Sequence, residues 1–386
     1  LRHFGHLGVD VRRRLFLVEP TPFDRHAPAA TLATALGATL YLPATRRTLV
    51  ADVRKQAARA VVSMVLCLED AIADGEVAAA EANLVDGLRT LAGLGGSAGD
   101  LVGGESGGSA GGGLPLLFVR VRAPEQIGEL VGRLGPASRL LSGFVLPKFT
   151  EENGGSYLEA LADAELACGQ RLFGMPVLEA PELAQLEHRR AELLGLATLL
   201  AKYRDRVLAV RLGVTDLCAA YGLRRSPELT AYDLALVAGV IGDVVNVFGR
   251  ADGTGFTVTG PVWEYFPLGR TGPELTGLLR EIELDRVNGL LGKTCVHPSQ
   301  VPAVHASLVV GHEEYCDARD VLGGARQRGG GVVGSAYANK MNELKPHRAW
   351  AERVMGRAEV FGVARAGVGF AELFAACRDA EVRGGC

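Results

Sequence analysis

The chain has 386 residues, of which 48% are hydrophobic and 22% charged, enough apolar side chain for a large core and too much for a disordered chain. A formal net charge of -3 leaves no global positive field to collect nucleic acid or an anionic membrane surface. Seven cysteines without a CxxC pair read as reduced, buried thiols of a cytosolic protein, not as a disulfide framework.

The N-terminal stretch LRHFGHLGVDVRRRLFLVEP lacks the basic, apolar, small-residue order of a secretory signal. No apolar run reaches the roughly 18 residues a membrane span needs, so a soluble cytoplasmic protein is expected. Short apolar runs then recur along the chain: ATLYLPAT (38–45), SMVLCLED (63–70), LPLLFVRVR (114–122), SGFVLPK (142–148), LFGMPVLE (172–179), VLAVRLGVTD (207–216), DVVNVFGR (243–250) and NGLLGKTCVHP (288–298). Between them lie stretches with Leu and Ala at helical spacing, such as 182–204 and 227–243. Strands alternating with helices in this number predict an α/β fold, a (β/α)8 TIM barrel, with a doubly wound sheet as the structural alternative.

Two Gly-rich segments punctuate the pattern, an insertion at about 94–113 and a linker at 322–333; neither contains GxxxxGK[ST], and both read as surface linkers. The expected organisation is a barrel over 1–321, the linker, and a C-terminal helical extension over 334–386.

Barrel enzymes carry their chemistry where strands finish. The second run ends in Glu69 and Asp70, the third in Arg120 and Arg122, the fourth in Lys148, the fifth in Glu179, the sixth in Asp216, and the eighth near Lys293 and His297. Each has a plain structural reading when taken alone: Asp216 as a helix cap, Glu179 as a solvated acid, His297 as a backbone partner, Lys148 as a salt bridge to Glu69 or Asp70. Together they converge on one rim. Glu179 and Asp216 on neighbouring strands suit Mg²⁺, a hard cation that keeps several waters and accepts substrate oxygens. Zinc lacks a His/Cys ligand cluster, and hydrolysis lacks a GxSxG elbow; a Cys295–His297 pair at i, i+2 is the thiol alternative.

The segments LYLPATR, VLCLEDAI, FVRVR, GFVLPK, PVLEAPE, RLGVTDLC and GKTCVHPSQV, in this order from about 38 to 302, resemble the citrate lyase β-subunit-like, HpcH/HpaI aldolase superfamily. The nearest likeness is to its TIM-barrel C–C bond lyases. The resemblance implies Mg²⁺, with Mn²⁺ as an alternative, at Glu179 and Asp216. It also implies Arg120 on a substrate carboxylate or carbonyl, and Glu69 and Asp70 organising metal waters and proton transfer, with Lys148 beside them. Arg122 and His297 complete the candidate substrate-binding set. The block at 334–363 is similar to a C-terminal segment that packs on a neighbouring subunit in those lyases, which implies a homo-oligomer, a trimer or hexamer. Cys67 stands where relatives commonly have Asp, and Arg122 where they have Asn; a second guanidinium suits a more anionic substrate. The implied reaction is retro-aldol cleavage, or its reverse, of a β-hydroxy acid or its acyl-CoA thioester, coenzyme A being left open. A thioesterase or synthase on the same scaffold, and a non-catalytic scaffold barrel, are the alternatives.

Overall fold

The computed structural model describes residues 1–94, 113–269, 271–328 and 331–383. In chain order the strands are β1 (Phe16–Val18), β2 (Ala38–Pro43), β3 (Ser63–Cys67), β4 (Leu116–Arg120), β5 (Leu141–Leu146), β6 (Phe173–Leu178), β7 (Val210–Leu212), β8 (Val258–Trp263), β9 (Lys293–Cys295), β10 (Val332–Gly334), β11 (Met341–Glu343) and β12 (Val363–Ala364). Strands β2 to β9 close into a barrel in which every neighbouring pair is parallel. Every residue of β3, β5 and β6 is buried, which is why these strands read as continuous apolar runs with no alternation.

Helices fill the crossovers, and their faces follow from spacing. In Glu125–Leu134 the buried residues Ile127, Leu130, Val131 and Leu134 recur at i, i+3, i+4 and i+7, one stripe turned to the barrel. The same spacing corrects one expected strand. DVVNVFGR does not form the seventh strand: it ends the helix Ala235–Phe248, which buries Val237, Val240, Ile241, Val244 and Phe248. The seventh barrel strand is β8, inside the following segment GFTVTGPVWEYFP.

The chain divides into two compact units, Leu36–Val301, which is the barrel, and Leu1–Ala35 with Pro302–Cys386. This differs from the boundary expected near 321. The N-terminal segment joins the C-terminal one because β1 pairs antiparallel with β12, Phe16 opposite Ala364. Within this unit β10 and β11 form a hairpin, and Ala318, Val321, Ala351, Val354 and Ala358 build a core between the helices His312–Arg328 and Arg348–Phe361. Residues 322–328, read as linker, continue the helix His312–Arg328. Residues 329–330, and 95–112 of the Gly-rich insertion, lie outside the described residues. Among the described residues no helix is long and apolar enough to cross a membrane.

Candidate active site

The C-terminal ends of β3 to β6 bring five of the expected side chains together. Arg120 closes β4 and places Nη2 at 2.8 Å from Glu69 Oε2, 3.1 Å from Asp70 Oδ2 and 3.0 Å from Glu179 Oε1. Lys148 Nζ lies 2.5 Å from Glu69 Oε1 and 3.3 Å from Asp70 Oδ1, the salt bridge that is its plain structural reading. The Asp70 backbone N–H donates to Glu69 Oε2 at 2.7 Å, which fixes the two adjacent acids relative to each other.

Local backbone chemistry aims Lys148. It has φ of 45°, in the left-handed region that ordinary residues rarely enter, and its N–H thereby donates to Glu179 Oε1 at 3.0 Å. The turn is held from behind by Asn153, whose amide donates to the Lys148 carbonyl at 2.9 Å while its oxygen accepts from Thr150 N at 3.0 Å. Thr150 is the cap of the helix Glu151–Cys168 and accepts from Asn153 N, so one capping box both starts the helix and orients the preceding Lys148 turn.

Glu179 is packed over Gly213, the residue before the helix Val214–Ala220. A Cβ at Gly213 would sit 2.1 Å from Glu179 Oε2, so only glycine lets the carboxylate lie there. Asp216 stands in the first turn of that helix, and its charge reaches Glu179. Burial, reinforced by the charges of Asp216 and Glu69 and opposed by Arg120, pushes Glu179 up to about 7. Burial also raises Glu69 above the usual carboxylate range, against Arg120 and Lys148. Burial acts on Asp70 too, but its hydrogen bond with Glu69 and the charge of Arg120 hold it below that range.

The cluster therefore combines the carboxylates of Glu69, Asp70, Glu179 and Asp216 with the cations of Arg120 and Lys148. The two-charge negative excess fits a hard divalent cation. Glu179, repelled by its acidic neighbours, and Asp216 are the pair that would hold it, with water completing the set. Among the described residues there is no group of three or more His, Cys, Asp and Glu side chains arranged to hold a metal, so a structural zinc-type cage is not the arrangement found.

Three expected residues go elsewhere. Arg122 lies beyond the end of β4, where the strand pleat no longer keeps i and i+2 on one face; it pairs with Asp74 and donates to the Leu68 carbonyl at 3.4 Å. His297 caps the turn Pro298–Gln300, its Nδ1 accepting from Ser299 N at 3.2 Å, and its ring stacks on Phe266 with centroids 4.9 Å apart. Lys293 opens β9 rather than ending it, and is buried against Glu281 at 2.5 Å and Asp285 at 2.7 Å. Cys295 is buried and pushed up to about 12 by that burial, which disfavours the thiolate a Cys–His nucleophile needs. The sequence reading passed over Gly213, Tyr41 and Arg211. The last had a signal, a lone charge inside the apolar run VLAVRLG.

A family model described as C-C bond lyase of the TIM-Barrel fold matches residues 30–363. No curated protein matches the chain. Among solved structures the chain is similar to a citrate lyase from Burkholderia xenovorans LB400, at 16% identity and TM-score 0.61, over 88% of this chain and 96% of that one. It is also similar to the protein CitE from Mycobacterium tuberculosis, solved with magnesium, acetoacetate and coenzyme A, at 20% identity and TM-score 0.55, over 84% and 99% of the two chains.

Proposed function

The chain belongs to the C-C bond lyase family of the TIM-barrel fold, and from that membership we propose that it is a Mg²⁺-dependent lyase acting on a β-hydroxy acid or its acyl thioester. The observation that carries the reading is the convergence of Arg120, Glu69, Asp70 and Glu179 within 3.1 Å contacts at the strand ends, with Asp216 in electrostatic reach. The magnesium bound by the M. tuberculosis protein supports the same ion here.

Cleaving a carbon–carbon bond beside a hydroxyl requires removal of the hydroxyl proton and stabilisation of the enolate left behind. Glu69, its proton affinity raised by burial, is the base for that proton. Lys148 pairs with the Glu69 carboxylate before the step; Glu69 takes the hydroxyl proton as the carbon–carbon bond breaks and passes it to the enolate carbon, which restores the ion pair. Arg120 presents its guanidinium to the substrate carboxylate or the developing enolate oxygen, and Glu179 and Glu69 hold it in that orientation. Glu179 and Asp216 would hold Mg²⁺, which would supply Lewis-acid charge to the substrate oxygens. Glu179 also accepts from the Lys148 backbone, so the cation site and the turn that pairs with the base are built as one unit.

The C-terminal hairpin exposes Val332, Met341 and Tyr337, with Trp350 nearby in sequence, which supports packing of this extension on another copy of the chain. The reading is tested by incubating the protein with Mg²⁺ and a panel of β-hydroxy acids and their coenzyme A thioesters, then identifying products by mass. Cleavage into two carbon fragments that stops with EDTA and with Glu179→Gln supports it. Hydrolysis to the free acid, or condensation alone, moves the assignment to a thioesterase or a synthase, and no turnover on any member moves it to a scaffold.

A further inference from the structure

Beneath the acidic cluster the barrel interior holds a second, separate arrangement. Parallel register sets Tyr41 beside Val65, one layer below the level at which Pro43, Cys67 and Arg120 stand side by side. Arg211 stands beside Val177, one layer below Glu179. The Arg211 guanidinium lies 5.6 Å from the centre of the Tyr41 ring, so the phenol rests on a cation; Tyr41 keeps partial exposure and feels the charges of Arg120 and Glu179 in the cluster above.

Arg211 is 2% exposed, and its polar contacts among the described residues are all neutral: Thr294 Oγ1 at 2.5 Å, Thr39 Oγ1 at 3.5 Å and Met175 Sδ at 3.9 Å. The other buried arginines, Arg189, Arg225 and Arg357, each sit on a carboxylate. A buried guanidinium without a counter-charge is costly, and an anion that arrives beside it would offset that cost. The Tyr41 hydroxyl has no hydrogen-bond partner among the described residues, although it stands at the floor of a site otherwise saturated with ion pairs.

We propose that Tyr41, seated on Arg211, donates a hydrogen bond to a second carboxylate of the substrate at the floor of the barrel mouth. Tyr41 is then a binding residue and Arg211 the positioning residue that supplies the positive field beneath it. This rests on the lyase reading and names its substrate class: an acid with two anionic ends, one taken by Arg120 and the other passing deep into the barrel. Burial raises Tyr41, against the pull of Arg211 and Arg120, so the phenol stays protonated and able to donate. The floor also explains how an anion is accepted at a rim with excess negative charge, since its far end meets an unpaired cation.

The test compares binding of malate and lactate, which differ by one carboxylate, to the full chain in Mg²⁺ by calorimetry. The wild type is expected to favour malate, and Tyr41→Phe to lower that preference about tenfold with lactate binding and unfolding midpoint unchanged. Arg211→Lys should keep part of the preference and Arg211→Met none. Tyr41→Phe removes a single oxygen and carries the test if Arg211→Met does not fold. An unchanged malate-to-lactate ratio in both Tyr41→Phe and Arg211→Lys overturns the inference while leaving the lyase reading standing. Binding of neither acid by the wild type overturns the inference, and the lyase reading falls with it only if the coenzyme A thioesters also give no cleavage.

Discussion

At the residue scale the site is governed by how closely charges are packed. Glu179 touches Arg120, the Lys148 backbone and the surface of Gly213, and each contact limits what can replace it. Gly213→Ala places a methyl where the Glu179 carboxylate lies. We expect Mn²⁺ affinity to fall at least about tenfold while the far-ultraviolet spectrum is kept, a result checked by titrating the ion against both proteins. The raised Glu179 sets a pH dependence of definite sign. A cation binds the ionised carboxylate, so binding releases a proton below about pH 7; affinity should drop about tenfold per pH unit under that point and level off above it. An affinity that is flat from pH 5 to 8 contradicts this assignment. Most of these acids and bases were legible as charges ending apolar runs. Arg122 and His297 were misplaced because a strand ending at Arg120 or Cys295 frees the next residues from the pleat, and an isolated chain does not announce where that happens.

At the element scale, the turn between β5 and the helix Glu151–Cys168 is the joint on which Lys148 depends. Asn153→Ala removes the reciprocal cap and the bond to the Lys148 carbonyl together, which should cost about 1 kcal/mol in urea unfolding and reduce turnover more than stability alone explains. Equal stability and activity in variant and wild type would show that the left-handed turn holds itself. The count of eight strands was legible because each barrel strand is buried on both faces; the identity of the seventh was not. The segment 243–250 is rich in β-branched residues, yet it continues a helix begun at Ala235, and tertiary burial at i, i+3 and i+4 overrode its strand propensity. β8 carries Gly260 and Pro261, residues that usually argue against a strand interior, and it is absent from the apolar runs that the sequence offers as strands.

At the scale of the whole molecule, the barrel was legible in the alternation of runs, whereas the second unit was not, because β1 and β12 pair residues at opposite ends of the chain. That unit contains a buried histidine group. His3 Nε2–H donates to the Ala35 carbonyl at 3.0 Å and its ring meets His305 edge-on at 4.6 Å, while His3 Nδ1, His6 Nδ1 and His305 Nε2 are buried without partners among the described residues. Burial lowers His3 to about 3 and His6 to about 4, with the N-terminal amine and Arg12 as the charges acting on them. These rings are neutral in the fold and gain a proton on unfolding. Stability is therefore level above about pH 6.5 and falls as the pH drops from there toward 4, by about 1.4 kcal/mol per histidine at about pH 5.5. Hydrogen exchange of residues 1–35 and 302–383 at pH 7.5 and 5.5 checks it; equal protection at both values contradicts the burial of neutral imidazole.

The central claim is that Glu179 and Asp216 form a cation centre completed by substrate. Its most direct measurement is Mn²⁺ binding, with and without oxaloacetate, to the wild-type, Glu179→Gln and Asp216→Asn proteins. Oxaloacetate should strengthen binding in the wild type, and both substitutions should remove it. Absence of binding in the wild type, or binding that neither substitution changes, would contradict it.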